Sequence, residues 1–552
     1  MNAFEDIVII GSGFGGAVMA ARVGAHVQAR YGGARTVRVL DKGDDPTGDF
    51  DPESDGPPLN AQGNRFRQSL DPRYTDRLAQ IFTDPQDTFR TGAPSMNVLA
   101  GTSIGGGSNV YAGVSLRAPA VAFDRDVAGR RRWPTRFTRA ALDPHYDRVE
   151  AALKVHRLAW TDAEVPHWQL AAKRDYVFAE GCRRIGATAV PLKVATFEDA
   201  NEGWWTQGQR FQGRQSLTMN YLRTAKAAGV RFSSGCEVTH VEPSGAGYVV
   251  HGVDHRGGLD RAFALECKVL VLAAGAVPST ALLLRSQDSF TGARDLDQSR
   301  LLGRNLSGNG DYGVTGVVDF ELPVEGQKGK PISSMCPSYF REHGFIVLPF
   351  YADPMYLALG RISSVLRPER PAATGRASTR VAEGPDGEPE RLWGPEAKAR
   401  LGDFTTRHLS MGCLAFDEGE GEIEVVDGQT VVRWRSTDPR TEARWSTAVD
   451  VMRRIYEALG GEMYLDNYRE HGTVNTSHPL GGACMGETAA DGVVSDVGEV
   501  WGNRNLFVVD GAIIPGALCA NPSLTIAAVA EDIAARLVAG DGTEALDARL
   551  GG

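Results

Sequence analysis

The feature that most constrains the fold is DIVIIGSGFGGAVMAARV, residues 6–23. An apolar, β-branched run ends at Ile10, and Gly11, Gly13 and Gly16 then form the pattern G-x-G-x-x-G before a helix of small residues. In such a unit the first glycine allows a tight turn, the second lets the backbone approach a pyrophosphate, and the third lets the helix lie close to the strand. The segment therefore predicts a strand–turn–helix unit that binds a dinucleotide at the helix start.

A second strand follows this helix. TVRVLDKG, residues 36–43, ends its apolar run at Asp41. An acidic residue about 20 or more residues beyond the glycines is the expected partner of a ribose hydroxyl. Glycine-rich turns also occur for purely structural reasons, so the strand, the helix and the following acid carry the prediction together. The pattern leaves open whether the dinucleotide is NAD or FAD.

Another glycine cluster lies in LAGTSIGGGSNVYAG, residues 99–113. Flexible linkers are polar, whereas this segment has apolar residues between its glycines. Gly105, Gly106 and Gly107 precede Ser108, and consecutive glycines let a backbone pass close to a flat ligand without side-chain clashes. The cluster indicates a ligand-contacting loop, with a merely structural turn as the alternative.

Two later regions predict further strands of the same sheet. KVLVLAAGAVPSTALLLRS, residues 268–286, reads as a buried parallel strand, a turn at Gly275 and a helix. Before it, residues 229–243 and 247–255 read as strands, the first running beside an adenine around Val238. Most of their apolar residues are interpreted as sheet core, and only the turns are candidates for ligand contact.

The carboxyl-terminal part adds one more strand and helix. NLFVVDGAIIP, residues 505–515, predicts a strand that ends in Asp510 and Gly511. A helix then opens with Asn521 as its cap and Pro522 as its first helical residue, which is a frequent start signal. That terminus carries a partial positive charge, so it would stabilise negative charge on a ligand. An ordinary cap is the alternative.

Composition narrows the functional classes. A chain of 552 residues with 42% hydrophobic residues buries a large core, normally as two domains or one elaborated fold at this length. The formal charge of −10 and the absence of a long basic run argue against a nucleic-acid partner.

Cysteine usage and hydropathy indicate the compartment. Seven scattered cysteines without a C-x-x-C pair fit reduced thiols in a cytoplasm rather than a disulfide framework or a zinc site. No apolar run approaches the roughly 18 residues that cross a bilayer. Met1 leads almost directly into a strand without a basic leader. The sequence predicts a cytoplasmic protein with no transmembrane segment.

Taken together, these segments resemble the glucose–methanol–choline (GMC) oxidoreductase family over most of the chain. The resemblance rests on GSGFGG, the GGGS loop, GAVPSTALLLRS, SHPLGGACMG, VVDGAIIP and NPSLTIAAVAE, in this order and spacing. Within the family the chain is most similar to bacterial flavoprotein cholesterol oxidases, through GRQSLTMNYLRTAKAAGVRFSSGCEV, LGRNLSGNGD and HPLGG with a downstream asparagine. The resemblance implies FAD as the cofactor and an alcohol as the substrate.

The resemblance places one histidine over the flavin. In NTSHPLGGACMG, residues 475–486, His478 matches the residue that accepts or positions the hydroxyl proton, and Asn521 stands where many relatives have a second histidine. An imidazole with an ordinary pKa of about 6.5 suits this task. No His, Cys and carboxylate set accompanies His478, so no metal site is expected. Five other histidines are interpreted as structural: His26, His145, His240, His408 and His471.

The resemblance also implies a flavin site assembled from separate segments. Some relatives attach FAD through a histidine just upstream of the glycine loop; residues 86–111 contain none, so dissociable FAD is expected. The implied residues are Gly11, Gly13, Gly16 and Asp41 for the ADP half, the backbone of Val238 for adenine, Gly105, Gly106, Gly107, Ser108 and Asn109 for the flavin and diphosphate side, the Gly275 turn, Asp510 and Gly511 for the ribityl and pyrophosphate, and Asn521 with Pro522 for the pyrimidine edge.

The chain departs from cholesterol oxidases at two points. Those enzymes carry an asparagine a few residues after GGGS, whereas Tyr111 stands here and Asn109 comes two residues earlier. They also carry a glutamate that moves the steroid double bond, and the central positions of residues 341–360 are apolar here. The resemblance therefore predicts alcohol oxidation and leaves isomerisation open.

The expected fold class is α/β, with a Rossmann-like FAD-binding domain of the glutathione reductase/GMC type and an α+β substrate domain built on an antiparallel sheet. GEIEVVDGQTVVRWR, residues 421–435, predicts a hairpin with a D-G turn in the substrate domain. The predicted FAD-binding domain comprises residues 1–125, 215–310 and 470–545, and the substrate-binding domain comprises residues 126–214 and 311–469.

Two sets of substrate-domain residues allow two interpretations each. Residues 370–400 break periodicity with Pro, Gly and charge, which indicates a mobile loop or lid, or equally a solvated insertion without function. Trp204, Trp205, Phe350 and Met355 either line an apolar pocket or belong to the core.

The functional prediction is FAD-dependent oxidation of a hydrophobic alcohol, either sterol-like, aryl or long-chain, with O2 or another electron acceptor. A dehydrogenase that passes electrons to a quinone or a protein is the main alternative, because oxygen access is not visible in sequence. The C-terminal HPLGG and NP segments disfavour an NAD-dependent reductase. A non-catalytic flavin-binding protein is disfavoured because both His478 and Asn521 are present.

Overall fold

The computed structural model describes residues 3–54, 79–82, 95–127, 130–158, 172–197, 213–245, 247–326, 329–350, 406–434, 438–466 and 473–551. Short 3-10 turns occur among them, including Gly106–Asn109 and Gly511–Ile513. The α-helices in these residues are α1 (Phe14–Tyr31), α2 (Ala120–Phe123), α3 (Arg139–Ala152), α4 (Lys173–Arg184), α5 (Tyr221–Ala227), α6 (Ala276–Ser286), α7 (Phe340–His343), α8 (Pro439–Ala458), α9 (Ser523–Ala539) and α10 (Leu546–Leu550).

The strands of the same residues form one large sheet, a second sheet and several small ones. They are β1 (Ala3–Ile10), β2 (Val37–Leu40), β3 (Ala79–Phe82), β4 (Ser95–Gly101), β5 (Asp126–Val127), β6 (Arg130–Arg131), β7 (His156–Arg157), β8 (Val190–Pro191), β9 (Lys193–Val194), β10 (Arg231–Ser233), β11 (Cys236–Ser244), β12 (Gly247–Asp254), β13 (Arg261–Leu272), β14 (Tyr312–Val317), β15 (Ser334–Met335), β16 (Phe345–Phe350), β17 (His408–Ala415), β18 (Glu422–Val426), β19 (Gln429–Arg433), β20 (Glu462–Asp466), β21 (Thr473–Thr476) and β22 (Leu506–Val508).

The large sheet carries the nucleotide-binding pattern. Strands β10, β2, β1 and β13 are parallel neighbours in that order, and β22 pairs in parallel with the end of β13. The first half of β13 pairs antiparallel with β12, and β12 with β11. The predicted strand, Gly275 turn and helix of residues 268–286 are confirmed, as are the strands in 229–243 and 247–255.

Helix α1 lies very close to the backbone of this sheet. A Cβ atom added at Gly15 would come within 1.7 Å of the Val509 carbonyl oxygen, just beyond β22. One added at Gly16 would come within 2.1 Å of the Gly11 carbonyl oxygen. Hydrogen is therefore the largest substituent that these two helix positions accept, and it brings the amino-terminal end of α1 onto the carboxyl ends of the strands.

The second sheet is antiparallel, with strand order β16-β17-β14-β20. Helix α8 packs on it and buries Trp445, Val449, Met452 and Tyr456. The predicted hairpin of residues 421–435 is present as β18 and β19, joined by a turn at 427–428. These strands supply the expected antiparallel α+β part; the exact domain boundaries stay a prediction.

A small sheet brings two distant loops together. Strand β21 pairs in parallel with β4, with Thr476 opposite Val98, and β3 pairs antiparallel with β4. Strand β4 leads into the Gly105 loop and β21 leads into His478. Because both strands run in the same direction, the two loops leave the same edge of the sheet.

Several predicted features lie outside the described residues: the loop 370–400, Trp204, Trp205, Met355 and His471. Phe350 ends β16 and is half-buried. Within the described part of the chain, the helices are too short or too polar to cross a bilayer.

Candidate active site

His478 lies two residues beyond the end of β21, with its side chain 18% exposed. Its backbone N–H donates to Oγ1 of Thr476 at 2.9 Å. This contact turns the chain sharply after the strand, so the imidazole faces the loops that surround the sheet edge. The ring is accessible to a small ligand but is fixed on its protein side.

The carboxylate of Asp311 fixes one ring nitrogen of His478. Nδ1 lies 2.9 Å from Oδ1 and 2.8 Å from Oδ2 of Asp311, and Oγ1 of Thr476 lies 2.8 Å from the same Oδ2. A carboxylate only accepts, so Nδ1 carries the proton and donates it. Asp311 is missing from the sequence-based site, because no local motif links it to a histidine 167 positions away.

The other ring nitrogen of His478 faces Asn521. Nε2 lies 3.1 Å from Nδ2 of Asn521, which can only donate, so Nε2 accepts this hydrogen bond. Oδ1 of Asn521 is buried and has no hydrogen-bond partner among the described residues. The structure thus brings together the predicted pair, with an unprotonated Nε2 on His478 and an amide oxygen on Asn521 that has no hydrogen-bond partner among the described residues.

The predicted helix cap at Asn521 is wrong. Helix α9 begins at Ser523, with Pro522 in αR conformation as its N-cap residue and no side-chain cap hydrogen bond. The amide of Asn521 is directed to His478 instead of to the helix, because the preceding turn is held by other contacts. The N–H groups at the start of α9 are therefore available to a ligand.

Asn309 holds the turn that carries Asn521. Its Oδ1 accepts from the backbone N–H groups of Leu518 at 2.8 Å and Cys519 at 3.2 Å, and its Nδ2 donates to the Ala520 carbonyl at 2.9 Å. Asn309 is fully buried. Burial also raises the pKa of the Cys519 thiol to about 12, so this thiol is protonated in the turn.

The two predicted glycine loops touch each other and frame open space. A Cβ atom added at Gly106 would come within 2.9 Å of Cα of Gly13, whereas one added at Gly13 or Gly107 meets no atom within 4 Å. Gly11 has a φ of +95°, and a Cβ there would lie 2.4 Å from the Ala273 carbonyl oxygen. Helix α1 starts at Phe14 without a side-chain cap. Open space beside Gly13 therefore lies at the uncapped start of α1, where N–H groups can bind an anion.

Asp41 lies buried at the end of β2. Its Oδ1 accepts from the Gly43 N–H at 3.0 Å, and its Oδ2 from the Ser12 hydroxyl and the Ser12 N–H. Burial raises the pKa of Asp41 to about 6, although these hydrogen bonds oppose the shift. The Cys236 N–H donates to the Asp41 carbonyl at 2.8 Å, which brings the start of β11, and Val238 in it, beside this carboxylate.

The side chains that follow the triple glycine shape the loop. The Ser108 hydroxyl donates to the Gly105 carbonyl at 2.6 Å, and the Asn109 amide donates to Oγ of Ser103 at 2.8 Å and to the Ile104 carbonyl at 2.7 Å. Oδ1 of Asn109 is buried without a hydrogen-bond partner in the described residues. Ser108 and Asn109 therefore turn their donors into the loop.

A buried arginine supports the Tyr111 segment. Arg214 donates from Nε to the Tyr111 carbonyl at 2.8 Å and from Nη1 to the Asn109 carbonyl at 3.0 Å. The Tyr111 hydroxyl donates to the Gln215 carbonyl at 2.9 Å, and burial raises the pKa of this phenol. The residue that departs from the cholesterol-oxidase pattern is thus held by Arg214 and Gln215.

Asp510 joins two of the predicted turns. Its Oδ2 accepts from the Gly275 N–H at 2.8 Å and from the Ser279 hydroxyl at 2.5 Å, and its Oδ1 accepts from the Ala512 N–H at 2.7 Å. Burial raises the pKa of Asp510, against the effect of these bonds. Gly511, the next residue, starts a buried 3-10 turn whose carbonyl accepts from Gly481, so this turn and the His478 loop are connected.

The parallel sheet, the paired glycine loops and the His478–Asn521 pair together define a nucleotide-dependent oxidoreductase. The chain belongs to the GMC oxidoreductase family, whose amino-terminal model matches residues 6–308 and whose carboxyl-terminal model matches residues 419–530. FAD is the cofactor of this family. No cluster of three metal-ligating side chains occurs in the residues that the structure describes.

Individual relatives are distant. A long-chain-alcohol oxidase of Arabidopsis thaliana is 24% identical over 470 residues, which cover 80% of this chain and 58% of that protein. The chain thus spans little more than half the length of this relative. A cholesterol oxidase of Mycobacterium tuberculosis is 25% identical over 580 aligned positions, covering 96% of this chain and 90% of that one. Pyridoxine 4-oxidase from Mesorbium loti shares the fold, with a TM-score of 0.62, 18% identity and coverage of 96% and 99%.

The described residues fit FAD. The open space beside Gly13 and Gly107 faces the uncapped start of α1, which suits a diphosphate. The buried amide oxygens of Asn109 and Asn521 have no hydrogen-bond partner within the described part of the chain, and a buried acceptor without a partner is costly unless a ligand supplies a donor.

Proposed function

We propose that this protein oxidises the hydroxyl group of a hydrophobic alcohol, with FAD bound non-covalently and His478 as the general base. The observation that carries the proposal is the polarity of the imidazole: Nδ1 is held by Asp311 at 2.8–2.9 Å, and Nε2 accepts from Asn521 at 3.1 Å. A ring fixed in this way has an unprotonated nitrogen near the end of the small sheet from which the Gly105 loop also emerges.

The proton chemistry follows from these contacts. FAD, when bound, supplies the acceptor for the hydride that leaves the alcohol carbon. When substrate binds, the Asn521 N–H moves from Nε2 of His478 to the hydroxyl oxygen, and the freed lone pair of Nε2 accepts the hydroxyl proton, which leaves a positively charged imidazolium. The Asp311 carboxylate stabilises that charge, and the Asn521 amide orients the hydroxyl oxygen beside Nε2.

FAD would be held by loops rather than by a covalent bond. Residues 86–111, which contain the loop, have no histidine that could attach to the isoalloxazine. Gly11, Gly13 and Gly16 would hold the diphosphate with the start of α1, and Asp41 would accept from the ribose. The remaining predicted contacts are with Val238 for adenine, Gly105, Gly106, Gly107, Ser108 and Asn109 for the flavin, and Gly275, Asp510, Gly511 and the Asn521–Pro522 turn for the ribityl chain and pyrimidine.

The substrate class is inferred from relatives and chemistry together. The matched relatives include a long-chain-alcohol oxidase and a cholesterol oxidase, and both names denote alcohols with large apolar parts. The half-buried Phe350, at the end of β16, would contribute to an apolar pocket. O2 or another electron acceptor would reoxidise the flavin, and a quinone or protein acceptor is the alternative to O2.

The test is anaerobic stopped-flow reduction of the flavin by a panel of sterols, aryl alcohols and long-chain alcohols. We expect one class to bleach the absorbance near 450 nm, and His478→Gln to slow bleaching by about 10² or more while FAD stays bound. His26→Gln, a change of the same type on α1, serves as the control and should reduce at the parent rate. An unchanged rate of flavin reduction in His478→Gln would show that His478 is not the general base.

Admission of air after bleaching separates the two electron-acceptor hypotheses. Recovery of the absorbance within seconds indicates an oxidase. Slow recovery that a quinone accelerates indicates a dehydrogenase. Absence of bleaching by every alcohol would overturn the proposed substrate class.

A further inference from the structure

We infer that one short segment, residues 307–311 (sequence SGNGD), positions both members of the catalytic pair: Asp311 sets the proton of His478, and Asn309 sets the location of Asn521. The inference rests on the proposed role of the pair. It assigns positioning roles to Asn309 and Asp311, which lie in the LGRNLSGNGD segment and for which the sequence analysis predicted no role in the site.

The segment is fastened to the His478 loop along its length. Ser307 and Leu480 exchange two backbone hydrogen bonds, of 2.8 and 3.0 Å, on the far side of His478. The Gly308 carbonyl lies 3.0 Å from Oγ1 of Thr476, on the near side. His478 is therefore bracketed by contacts from the same segment that supplies its carboxylate partner.

Asp311 is placed to decide which nitrogen of His478 carries the proton. The residue is 9% exposed, so its hydrogen bond to Nδ1 is shielded from competing water. Since Asp311 contacts Nδ1 through both oxygens, the tautomer with a proton on Nε2 would leave the lone pair of Nδ1 facing the two carboxylate oxygens. The segment thus fixes Nε2 as the proton acceptor.

Asn309 performs the second task from the opposite face of the segment. Its amide makes three hydrogen bonds to residues 518–520, which directly precede Asn521. Asn309 adopts a φ of +60°, a backbone conformation in which asparagine is tolerated far better than most residues. Its side chain therefore holds the turn of residues 518–520 and leaves the first N–H groups of α9 without a side-chain cap.

The segment itself is rigid because its middle is clamped. The Gly310 N–H donates to Oδ2 of Asp417 at 2.8 Å, and the Asn309 N–H donates to Oγ of Ser307 at 2.9 Å. Gly310 has a φ of +63°, and a Cβ there would lie 2.3 Å from the Ala415 carbonyl oxygen. Movement of one end of the segment is therefore transmitted to the other, which couples the positions of His478 and Asn521.

The first test reads the tautomer directly and requires no substrate. Protein labelled with 15N in its eleven histidines is studied by NMR, and the His478 signals are assigned by their loss in His478→Gln. We expect a protonated Nδ1 and a bare Nε2 in the parent holoenzyme, and a shift of the proton toward Nε2 in Asp311→Asn. A parent protein with the proton on Nε2, or an unchanged tautomer in Asp311→Asn, would overturn the role of Asp311.

The second test separates the two tasks kinetically. Asp311→Asn should slow flavin reduction by roughly 10² or more with an apparent substrate Kd within about threefold of the parent value, because it alters a proton and not a binding contact. Asn309→Gly keeps the left-handed backbone and removes the three hydrogen bonds. It should slow reduction by roughly tenfold while the His478 tautomer stays that of the parent.

Asn305→Gly is the matched control, since Asn305 also has a φ of +60° but its amide oxygen accepts from Arg132 and not from the turn before Asn521. If Asn309→Gly and Asn305→Gly behave alike, the role of Asn309 is refuted. The tautomer result stands apart from the proposed reaction: a proton shift in Asp311→Asn together with no bleaching by any alcohol would reject the function and keep the positioning role.

Discussion

Ser12 and Asp41 are joined by two hydrogen bonds, one from the Ser12 hydroxyl and one from its backbone N–H, both to Oδ2 of the buried carboxylate. The same hydroxyl accepts from the Gly105 N–H at 2.9 Å. One serine therefore connects the end of β2 and the two glycine loops. The three parts of the predicted ADP site are therefore joined to one another by hydrogen bonds between protein groups.

We expect the buried Asp41 to make FAD affinity depend on pH. Its pKa is raised from 3.8 to about 6 by burial, so the folded apoprotein keeps a proton that the unfolded chain releases between about pH 4 and pH 6. Apoprotein stability from this group is present below pH 4 and is lost as the pH rises through 6. Ribose hydroxyls would donate to the charged form, so FAD binding should release this proton.

We therefore expect the FAD dissociation constant of the apoprotein to fall by roughly tenfold between pH 5 and pH 7 and then to level off. Quenching of flavin fluorescence on binding measures this constant. Asp41→Asn should bind more weakly and with a smaller pH dependence; what remains would come from groups such as Asp510, whose pKa burial also raises. An identical pH slope in the variant would show that Asp41 does not contact the ribose.

Gly13 and Gly15 provide a pair of substitutions with opposite expected effects. Gly13 has a φ of −69° and open space where a Cβ would lie, so Gly13→Ala should leave the apoprotein melting temperature within about 2 °C. FAD affinity should nevertheless fall by about tenfold or more, since the methyl group would occupy the space assigned to the diphosphate.

Gly15→Ala should act on folding instead. Its Cβ would lie 1.7 Å from the Val509 carbonyl oxygen, so the helix must move away from the sheet. The gain in helix propensity is at most about 1 kcal/mol, and we expect overpacking to exceed it and lower the free energy of unfolding by about 1–3 kcal/mol. Thermal and denaturant unfolding of the Gly13→Ala and Gly15→Ala apoproteins measures both effects on stability. Equal stability of the two variants would contradict the structural assignment.

The nucleotide-binding sheet could be predicted from sequence because each of its parts is local. The run to Ile10, the glycines after it and the strand that ends at Leu40 each lie within one short window, and their pattern matches the parallel strands observed. His478 and Asn521 could also be singled out from the sequence, since each lies in a recognisable motif. Their 3.1 Å contact joins positions 43 residues apart.

Asp311 could not be predicted in its role, because its position depends on tertiary packing. It directly precedes β14 in the antiparallel sheet, whereas His478 follows β21 in another sheet. The pairing between Ser307 and Leu480 and the contacts of the Thr476 hydroxyl with Gly308 and Asp311 bring the two together. The prediction that Asn521 caps the helix was wrong for a related reason. The local sequence favours an asparagine cap, but Asn309 holds the preceding turn in a conformation that directs the Asn521 amide to His478.

A buried ion pair stabilises the contact between α1 and α9. The side chain of Glu531 is 2% exposed. Its carboxylate accepts two hydrogen bonds of 2.8 Å from Arg22 and one of 2.7 Å from the Tyr221 hydroxyl. Glu531 raises the pKa of Arg22 through these contacts. Arg22→Met leaves a buried carboxylate without its counter-charge, and we expect a loss of about 2 kcal/mol because Arg22 itself is 44% exposed.

The control for this loss is on the same helix. Arg30 is 63% exposed and lies 3.3 Å from Asp547, so Arg30→Met should change stability by no more than about 0.5 kcal/mol. Urea unfolding of the apoproteins measures both variants. Equal effects at the two positions would mean that Glu531 finds another partner when Arg22 is removed.

The amide of Asn521 should matter both as a donor and as a neutral group. Asn521→Ala removes the hydrogen bond to Nε2 of His478, and we expect flavin reduction to slow by about tenfold or more.

In Asn521→Asp a carboxylate faces Nε2 instead, and it favours a protonated, positively charged imidazole that cannot accept the substrate proton. The rate in this variant should be low at pH 7 and rise toward alkaline pH. Asn475→Asp adds the same charge on the exposed residue three positions before His478, and it should keep the parent pH profile. Stopped-flow reduction from pH 6 to pH 10 tests these outcomes. A common pH profile for both aspartate variants would show that the contact between Asn521 and Nε2 does not control the protonation of the base.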